Sequence, residues 1–285
     1  MSLQTETKPK TVVVDYSKGN LRSVEKGLAL AGAAALVSAD ADDIARADAI
    51  VLPGVGSFAD ASATMLASGQ MQAIRERVRA GVPFLGICLG LQLLFERGDE
   101  GLGRRQPIIA RSSSGQFAPD PPGQTTPLPQ VVASSAQTDL GQIDSKSDAQ
   151  ALVGASPEQP TFEHRWAEGL GLLRGHCRRI DSTDLQGRSY KVPHVGWNQV
   201  HYSGDELWIS PLFAGIADGS NFYFTHSYQA QPRDHSDIIA SVVHARPFTC
   251  AVRREQIFAT QFHPEKSSRN GLAVLRNFVD FVRGA

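Results

Sequence analysis

Three short runs of almost purely apolar residues, Val12–Val14, Ile50–Leu52 and Phe84–Ile87, constrain this chain more than any other feature. Each is too short for a helix and lacks the polar alternation of a strand with one wet face. Each therefore reads as a strand buried on both sides. Helical patterns lie between them. Asn20 stands where it can cap a helix that carries Leu21, Val24, Leu28 and Ala31 at helical spacing. Further helical patterns run through Met65 and over Met71–Ala80, the latter stopped by Gly81 and Pro83, and Leu89–Phe95 reads as one more. Strands alternating with helices in this way predict an α/β fold: an open, largely parallel central sheet with helices on both faces.

The remaining composition narrows the function classes. Hydrophobic residues make up 41% of the 285, enough for a sizeable core. A formal net charge of −1 and a pI near 6.7 give no basic field, so no nucleic-acid partner is expected. Apolar runs such as Ala31–Val37 are far shorter than the ~18 residues a membrane span needs, and no membrane partner is expected either. The polar stretch Met1 to Lys10 lacks the apolar core of a secretory signal and reads as a flexible N-terminus. Three cysteines, Cys88, Cys177 and Cys250, are too few for a disulfide framework and point to a reducing cytoplasm.

Between Arg104 and Trp166 the character changes. This stretch holds eight of the sixteen prolines, runs of Ser, Gln and Gly, and almost no apolar periodicity, which predicts disorder. Glu100-Gly101-Leu102-Gly103 precedes it and Glu168-Gly169-Leu170-Gly171 follows it, the second copy leading into Leu172-Leu173 as a plausible strand. The stretch 104–166 therefore reads as an insertion into a single domain spanning 1–285. Beyond it, strand-like segments dominate: Gly196–His201, Asn221–His226, Ile238–Val243, Thr249–Arg253 and Gln256–Phe262. A final helix is expected over Gly271–Arg283, with Leu272, Val274, Leu275, Phe278 and Phe281 facing the core.

Cys88 lies in Gly86-Ile87-Cys88-Leu89-Gly90, between a buried strand and a helix. This is the strand–turn–helix setting of a nucleophile elbow, and the flanking glycines suit a turn in which backbones crowd together. The helix that starts beside the thiol favours the thiolate. Cys177 and Cys250 have no such setting and read as structural. A thiol nucleophile needs a base. His263, at the end of an apolar run and followed by Pro264 and Glu265, is the best placed of eight histidines. In an extended segment, residues two apart project the same way, so Glu265 can hold the ring in the tautomer that presents its other nitrogen to the thiol. The oxyanion needs N–H donors: the amide of Leu89 is one, and the turn Pro53-Gly54-Val55-Gly56 offers another. That turn lacks the Lys-Ser/Thr ending of a phosphate loop. No C-x-x-C or H-E-x-x-H occurs, and His176 beside Cys177 has no obvious third ligand, so neither a metal nor another cofactor is expected. Phe222-Tyr223-Phe224 reads as sheet core.

Taken together, these stretches resemble the class I (triad) glutamine amidotransferases, and among them the glutaminase subunits of imidazole glycerol phosphate synthase. The residues that carry the likeness are Asp15 to Leu21, Pro53 to Phe58 and Gly86 to Gln92, followed by Lys191 to Asn198, Tyr223 to Tyr228 and Gln261 to Lys266. The resemblance implies a flavodoxin-like amidotransferase fold and a triad of Cys88, His263 and Glu265. It also implies that Gly56, Gln92, Glu100, Ser227 and Tyr228 hold glutamine, and that Gly54 and Val55 form an oxyanion loop that donates only after rearranging. By the same resemblance, Lys191, Pro193, His194, Trp197 and Asn198 face a (β/α)8-barrel cyclase, the heterodimer partner that receives the ammonia for histidine biosynthesis. Ser17 departs from the family, which often has glycine there, and a φ above zero at that position would strain it.

Two other classes of function are open to the same residues. A free-standing thiol hydrolase of γ-glutamyl compounds would use the triad without needing Lys191–Asn198. A non-catalytic binding module would keep the fold without needing an intact Cys, His and Glu. Excising residues 106–159 is expected to leave folding and glutaminase activity largely intact, as measured by thermal melting and glutamate release. Loss of cyclase binding on excision would instead make the segment part of the interface.

Overall fold

The computed structural model describes residues 8–102, 165–203 and 210–284. The predicted disorder of 104–166 falls almost wholly outside those residues, as does most of the predicted flexible N-terminus. The two ends of these segments that are described belong to the fold. Lys10 opens the first strand, its N–H bonded to Asp48 Oδ2 at 2.8 Å. Trp166 packs edge-on against His176, with the Arg97 guanidinium 4.5 Å over its ring.

The chain alternates as the apolar runs require. Strand β1 (Lys10–Val14) leads to helix α1 (Leu21–Leu30), β2 (Ala34–Ser38), α2 (Ala41–Ala45) and β3 (Ala49–Gly54). Helices α3 (Phe58–Ala67) and α4 (Gln70–Arg79) follow, then β4 (Phe84–Cys88) and the five-residue α5 (Leu89–Leu93). After the short strands β5 (Arg97–Gly98) and β6 (Ala167–Glu168) come β7 (Gly175–Arg179), β8 (His194–Tyr202), β9 (Ser220–His226) and β10 (Tyr228–Pro232). Strands β11 (Ile238–His244), β12 (Arg246–Arg254) and β13 (Ile257–Thr260) precede the last helix, α6 (Ser268–Gly284).

Among the described residues, nine strands form one sheet in the order β2-β1-β3-β4-β13-β12-β11-β8-β9. The pairs from β2 to β13 are parallel and those from β13 to β9 antiparallel, so the parallel character expected of the sheet holds for its first half. The period-two alternation of strand side chains divides the core between the two faces. Val12, Val14, Ile50 and Leu52 pack with Ile44, Met65 and Ile74 from α2, α3 and α4. Val13, Val51, Leu85 and Ile87 pack with Leu28 of α1 and Leu275 and Phe278 of α6. Helices therefore cover both faces.

A second sheet of four strands, β10-β7-β5-β6, flanks the first. Within it β5 and β6 pair antiparallel, Arg97 opposite Glu168 and Gly98 opposite Ala167, so the two flanks of 103–164 lie side by side. Arg75 of α4 fastens the second flank, bonding Glu168 Oε1 (2.6 Å), the Gly169 carbonyl (2.7 Å) and the Leu170 carbonyl (2.9 Å).

Two expectations need correction, and two elements were not expected. Leu172-Leu173 is a bend, not a strand; it turns Leu173 into the core, and the strand begins at Gly175. Asn20 occupies the cap position of α1 but makes no capping bond, because its ψ of 55° is not extended. Strand β2 and helix α2 carry little of the patterns used above: β2 is an Ala-rich edge strand with no fully buried residue, and α2 has five residues.

Ser17 has a φ of 70°, the left-handed conformation that suits glycine, and its N–H is held by Asp15 Oδ1 at 2.7 Å. Its side chain is exposed. Ser17→Gly is expected to raise unfolding stability by about 1 kcal/mol, read as an increase in the denaturation midpoint at unchanged slope.

Candidate active site

Cys88 ends β4 and precedes α5 with φ 55° and ψ −104°, a strained backbone for a residue with a side chain. Contacts between backbones hold it there. A Cβ on Gly90 would run into the Leu52 carbonyl, and one on Gly86 would come within 2.7 Å of the Gly90 carbonyl oxygen. Neither glycine has a positive φ, so close approach is what demands them. The turn carries the sulfur to the carboxyl edge of the parallel strands, where open α/β sheets bind ligands. Gln261 Nε2 donates to Sγ at 3.5 Å, and the Thr225 carbonyl lies 3.9 Å from it.

His263 follows β13, the neighbour of β4, and its Nδ1 lies 2.9 Å from Glu265 Oε1, both side chains being almost wholly buried. The pair forms as expected but by different geometry. His263 is extended, whereas Pro264–Lys266 is one turn of 3-10 helix that swings the carboxylate back to the ring. Burial pushes the imidazole down, but the neighbouring Cys88 sulfur and then Glu265 outweigh it and raise the ring to about 10. Nε2 is buried and makes no standard hydrogen bond, and Glu265 Oε2 likewise has no partner. Since a carboxylate on Nδ1 fixes the hydrogen there, this site joins a strained thiol, an oriented imidazole and a carboxylate. Such an arrangement can do nucleophilic acyl transfer.

The oxyanion candidates lie beside the sulfur. Gly54 ends β3 in register with Cys88, and Leu89 opens α5. Tyr16, given no role by the sequence patterns although it lies within one of them, fills the space between the two. A Cβ on Gly54 would collide with its hydroxyl and lie 2.8 Å from Leu89 Cβ. Burial and then the Cys88 charge push its phenol far up, against a lesser opposing pull from the Val55 backbone N–H.

A family model of glutamine amidotransferase class-I matches residues 12–281. The chain belongs to the class-I glutamine amidotransferases. It is 36% identical over 273 residues to "Imidazole glycerol phosphate synthase subunit HisH" of Moorella thermoacetica, covering 96% of this chain and 95% of the relative. The protein of the same name from Syntrophotalea carbinolica is 35% identical over 270 residues, covering 94% and 98%. These likenesses place the chain in the HisH family. Among solved structures, PurLQS from Thermotoga maritima superposes with a TM-score of 0.57 at 15% identity, covering 96% of this chain and 99% of that one. A glutamine amidotransferase from Thermotoga maritima gives 0.51 at 10%, covering 98% and 100%. At such identities these two support the class-I amidotransferase fold alone.

The other residues inferred from resemblance to this family fall into two groups. Near the thiol, Gln92 is buried on α5 and donates its amide to the Tyr228 carbonyl (2.9 Å) and to Gln261 Oε1 (3.1 Å). Tyr228 opens β10, directly after Ser227, where the chain crosses from the large sheet to the small one. Its phenol is raised by burial and by Glu100 and Asp99. Gly56 has a φ of +100°, with Lys18 packed over it. Glu100 accepts from the Phe58 N–H at the start of α3 (3.2 Å).

On β8 and the residues leading into it, Lys191, Pro193 and Trp197 are exposed, but the half-buried Asn198 lies on the opposite face of the strand from Trp197, and so does His194. Strand alternation turns it inward, stacked between Phe224 and His244 and bonded to His226. The exposed face carries Val195 and Val243 besides the expected Trp197, each more than half exposed. The strand's alternation could have shown this, since 195 and 197 share a face opposite to 194. Cys177 and Cys250 are buried free thiols, each raised by burial, in line with structural roles. Phe222 and Phe224 are core. Among the described residues there is no cluster able to hold a metal ion and no helix long and apolar enough to cross a membrane.

Burial raises the Glu100 carboxyl to about 7, against a lesser opposing pull from the Phe58 N–H. Its unfolded value of 4.5 is lower, so the native state resists ionisation and loses stability as pH climbs from about 4.5 to 7. Glu100→Gln removes that loss. The variant's advantage over the parent, read from denaturation midpoints, should grow across this window and level off above it.

Proposed function

We propose that this chain is a glutaminase subunit: it hydrolyses glutamine through Cys88, His263 and Glu265 and hands the ammonia to a (β/α)8-barrel cyclase that makes imidazole glycerol phosphate and aminoimidazole carboxamide ribotide in histidine biosynthesis. The observation that carries the chemistry is the 2.9 Å Nδ1–Oε1 bond, on a ring that the neighbouring strained Cys88 raises. Its setting in a HisH-family chain gives the substrate.

The sulfur attacks the side-chain amide carbon of glutamine, and the oxyanion is met by the Leu89 amide and by an N–H from Gly54-Val55. His263, holding a proton between the sulfur and the departing nitrogen, gives it to the ammonia. Glu265 keeps the ring's Nδ1–H engaged, so Nε2 does the work. Water then attacks the thioester, His263 takes its proton, and glutamate leaves. Gln92, Gly56, Glu100, Ser227 and Tyr228 hold the glutamine; the electrostatic coupling of Tyr228 to Glu100 supports placing these two in one site.

The cyclase docks where Lys191 and Pro193 lead into β8 and on the face of β8 that carries Trp197, with Asn198 reaching it only from the opposite face. Exposed Val195 and Val243 beside Trp197 make the apolar patch that a permanent partner covers, and a free-standing γ-glutamyl hydrolase has no use for it. We take residues 1–285 as one amidotransferase domain, with 104–166 as an insertion whose flanks pair through β5 and β6. The cytoplasm suits its three free cysteines.

Cys88→Ala in the reconstituted complex should abolish imidazole glycerol phosphate formation from glutamine, by at least ~10³-fold, while leaving synthesis from ammonium salts near the parent rate. Glutamine-driven synthesis without that thiol would refute the mechanism. Strong glutamine hydrolysis by the isolated chain, unchanged on adding the cyclase and its nucleotide ligand, would favour the free-standing hydrolase.

A further inference from the structure

A row of side chains joins the partner-facing strand to the sulfur, and the hydrogens in it can point only one way. His226 Nδ1 lies 2.8 Å from the Tyr228 carbonyl oxygen, which only accepts, so Nδ1 carries the hydrogen. Burial holds this ring neutral, pushed down to about 3, which makes Nε2 a bare acceptor. His194 Nδ1, 3.0 Å away, must therefore donate. Burial and then His244 keep His194 neutral as well, so its Nε2 accepts from Asn198 Nδ2 at 3.2 Å.

From the far side the same Tyr228 carbonyl accepts from Gln92 Nε2, which also donates to Gln261 Oε1. That leaves Gln261 Nε2 to donate to Cys88 Sγ. Gln261 is fully buried, and its own N–H is fixed by the Cys250 carbonyl at 2.8 Å. If its amide turned over, an oxygen would face the sulfur and its NH2 would face that of Gln92. Both contacts would repel, so the two amides hold their orientation together.

We infer that Gln261 is the positioning residue for the Cys88 thiol, and that its amide is oriented from strand β8 through Gln92, the Tyr228 carbonyl, His226 and His194. The inference rests on reading Cys88 as the nucleophile. An N–H aimed at the sulfur favours its anionic form and fixes the rotamer from which it attacks. Asn198, half-buried and on the same face of β8 as His194, is the outer end of the row.

The test is the rate of iodoacetamide alkylation at Cys88 in the full chain at fixed pH, without glutamine or cyclase. The Cys88 peptide is followed by mass, since Cys177 and Cys250 are also free thiols. Gln261→Met fills similar volume but has no N–H, and alkylation should slow about tenfold. His194→Phe keeps the stacking on Phe224 and His244 but loses the donor to His226. It should slow alkylation several-fold alone and add little in the Gln261→Met background, because both changes break one row. If Gln261→Met reacts at the parent rate, or the two substitutions multiply independently, the inference fails. Should Gln261→Met not fold, Asn198→Ala at the solvent end replaces it, and an unchanged rate there overturns the row equally. These outcomes leave the glutaminase reading intact, whereas a parent complex that released no glutamate would refute that reading without altering the alkylation pattern.

Discussion

The site depends on a contact made of backbone alone. Helix α5 starts so close to β3 that no side chain fits between Gly90 and the Leu52 carbonyl, and the turn folds so tightly that none fits between Gly86 and Gly90. Those two restrictions pin the ends of a single strained residue, Cys88, and supply the energy that keeps its φ at 55°. The backbone of a residue held this way is set without its side chain, and the direction of the sulfur is left to its contacts with Gln261 and the Thr225 carbonyl. The large core beneath, divided between two faces by strand alternation, is what makes so close an approach stable.

Around that fixed point the molecule is asymmetric. The parallel strands β3, β4 and β13 end together and deliver Gly54, Cys88 and His263 to one edge. The antiparallel half contributes no member of the triad. It supplies the second layer instead: Tyr223 donates its N–H to Ser267 Oγ and its carbonyl accepts from the His263 N–H, so β9 clamps the backbone on which the imidazole rides. Ser267 in turn donates to the His263 carbonyl at 2.7 Å. The ring is thus fixed from two directions while its Nε2 is left without a standard partner, the combination a proton shuttle requires.

How far the sequence alone reveals this follows from where each interaction lies. Strands β1, β3 and β4 are legible because burial on both faces strips them of polar residues, and the Cys88 elbow because close approach demands glycine at 86 and 90. Strand β2 is illegible: it lies at the sheet edge, half-exposed and Ala-rich. Strands β7 and β10 escape notice because Gly-His-Cys-Arg-Arg and Tyr-Gln-Ala-Gln-Pro alternate no apolar face. The pairing of His263 with Glu265 is local and so could be read, though its actual turn could not. The inward turn of His194 was within reach of the alternation rule. The contact of Tyr16 with Gly54 and the meeting of Gln92 with Gln261 were not, since they join segments 38 and 169 residues apart that only the folded sheet brings together.

The crossing at Ser227 ties these layers to one another. Strand β9 belongs to the large sheet and pairs along its length with β8, whereas β10, one residue later, belongs to the small sheet and pairs with β7. His226 and Tyr228 therefore stand on different sheets yet are bonded within two residues, and the Tyr228 carbonyl is where donors from both meet. The same carbonyl anchors Gln92, whereas the glycine contacts hold the elbow independently. The elbow and the row through the Tyr228 carbonyl thus rest on separate contacts, and the row runs along the face of β8 opposite to the exposed Val195 and Trp197.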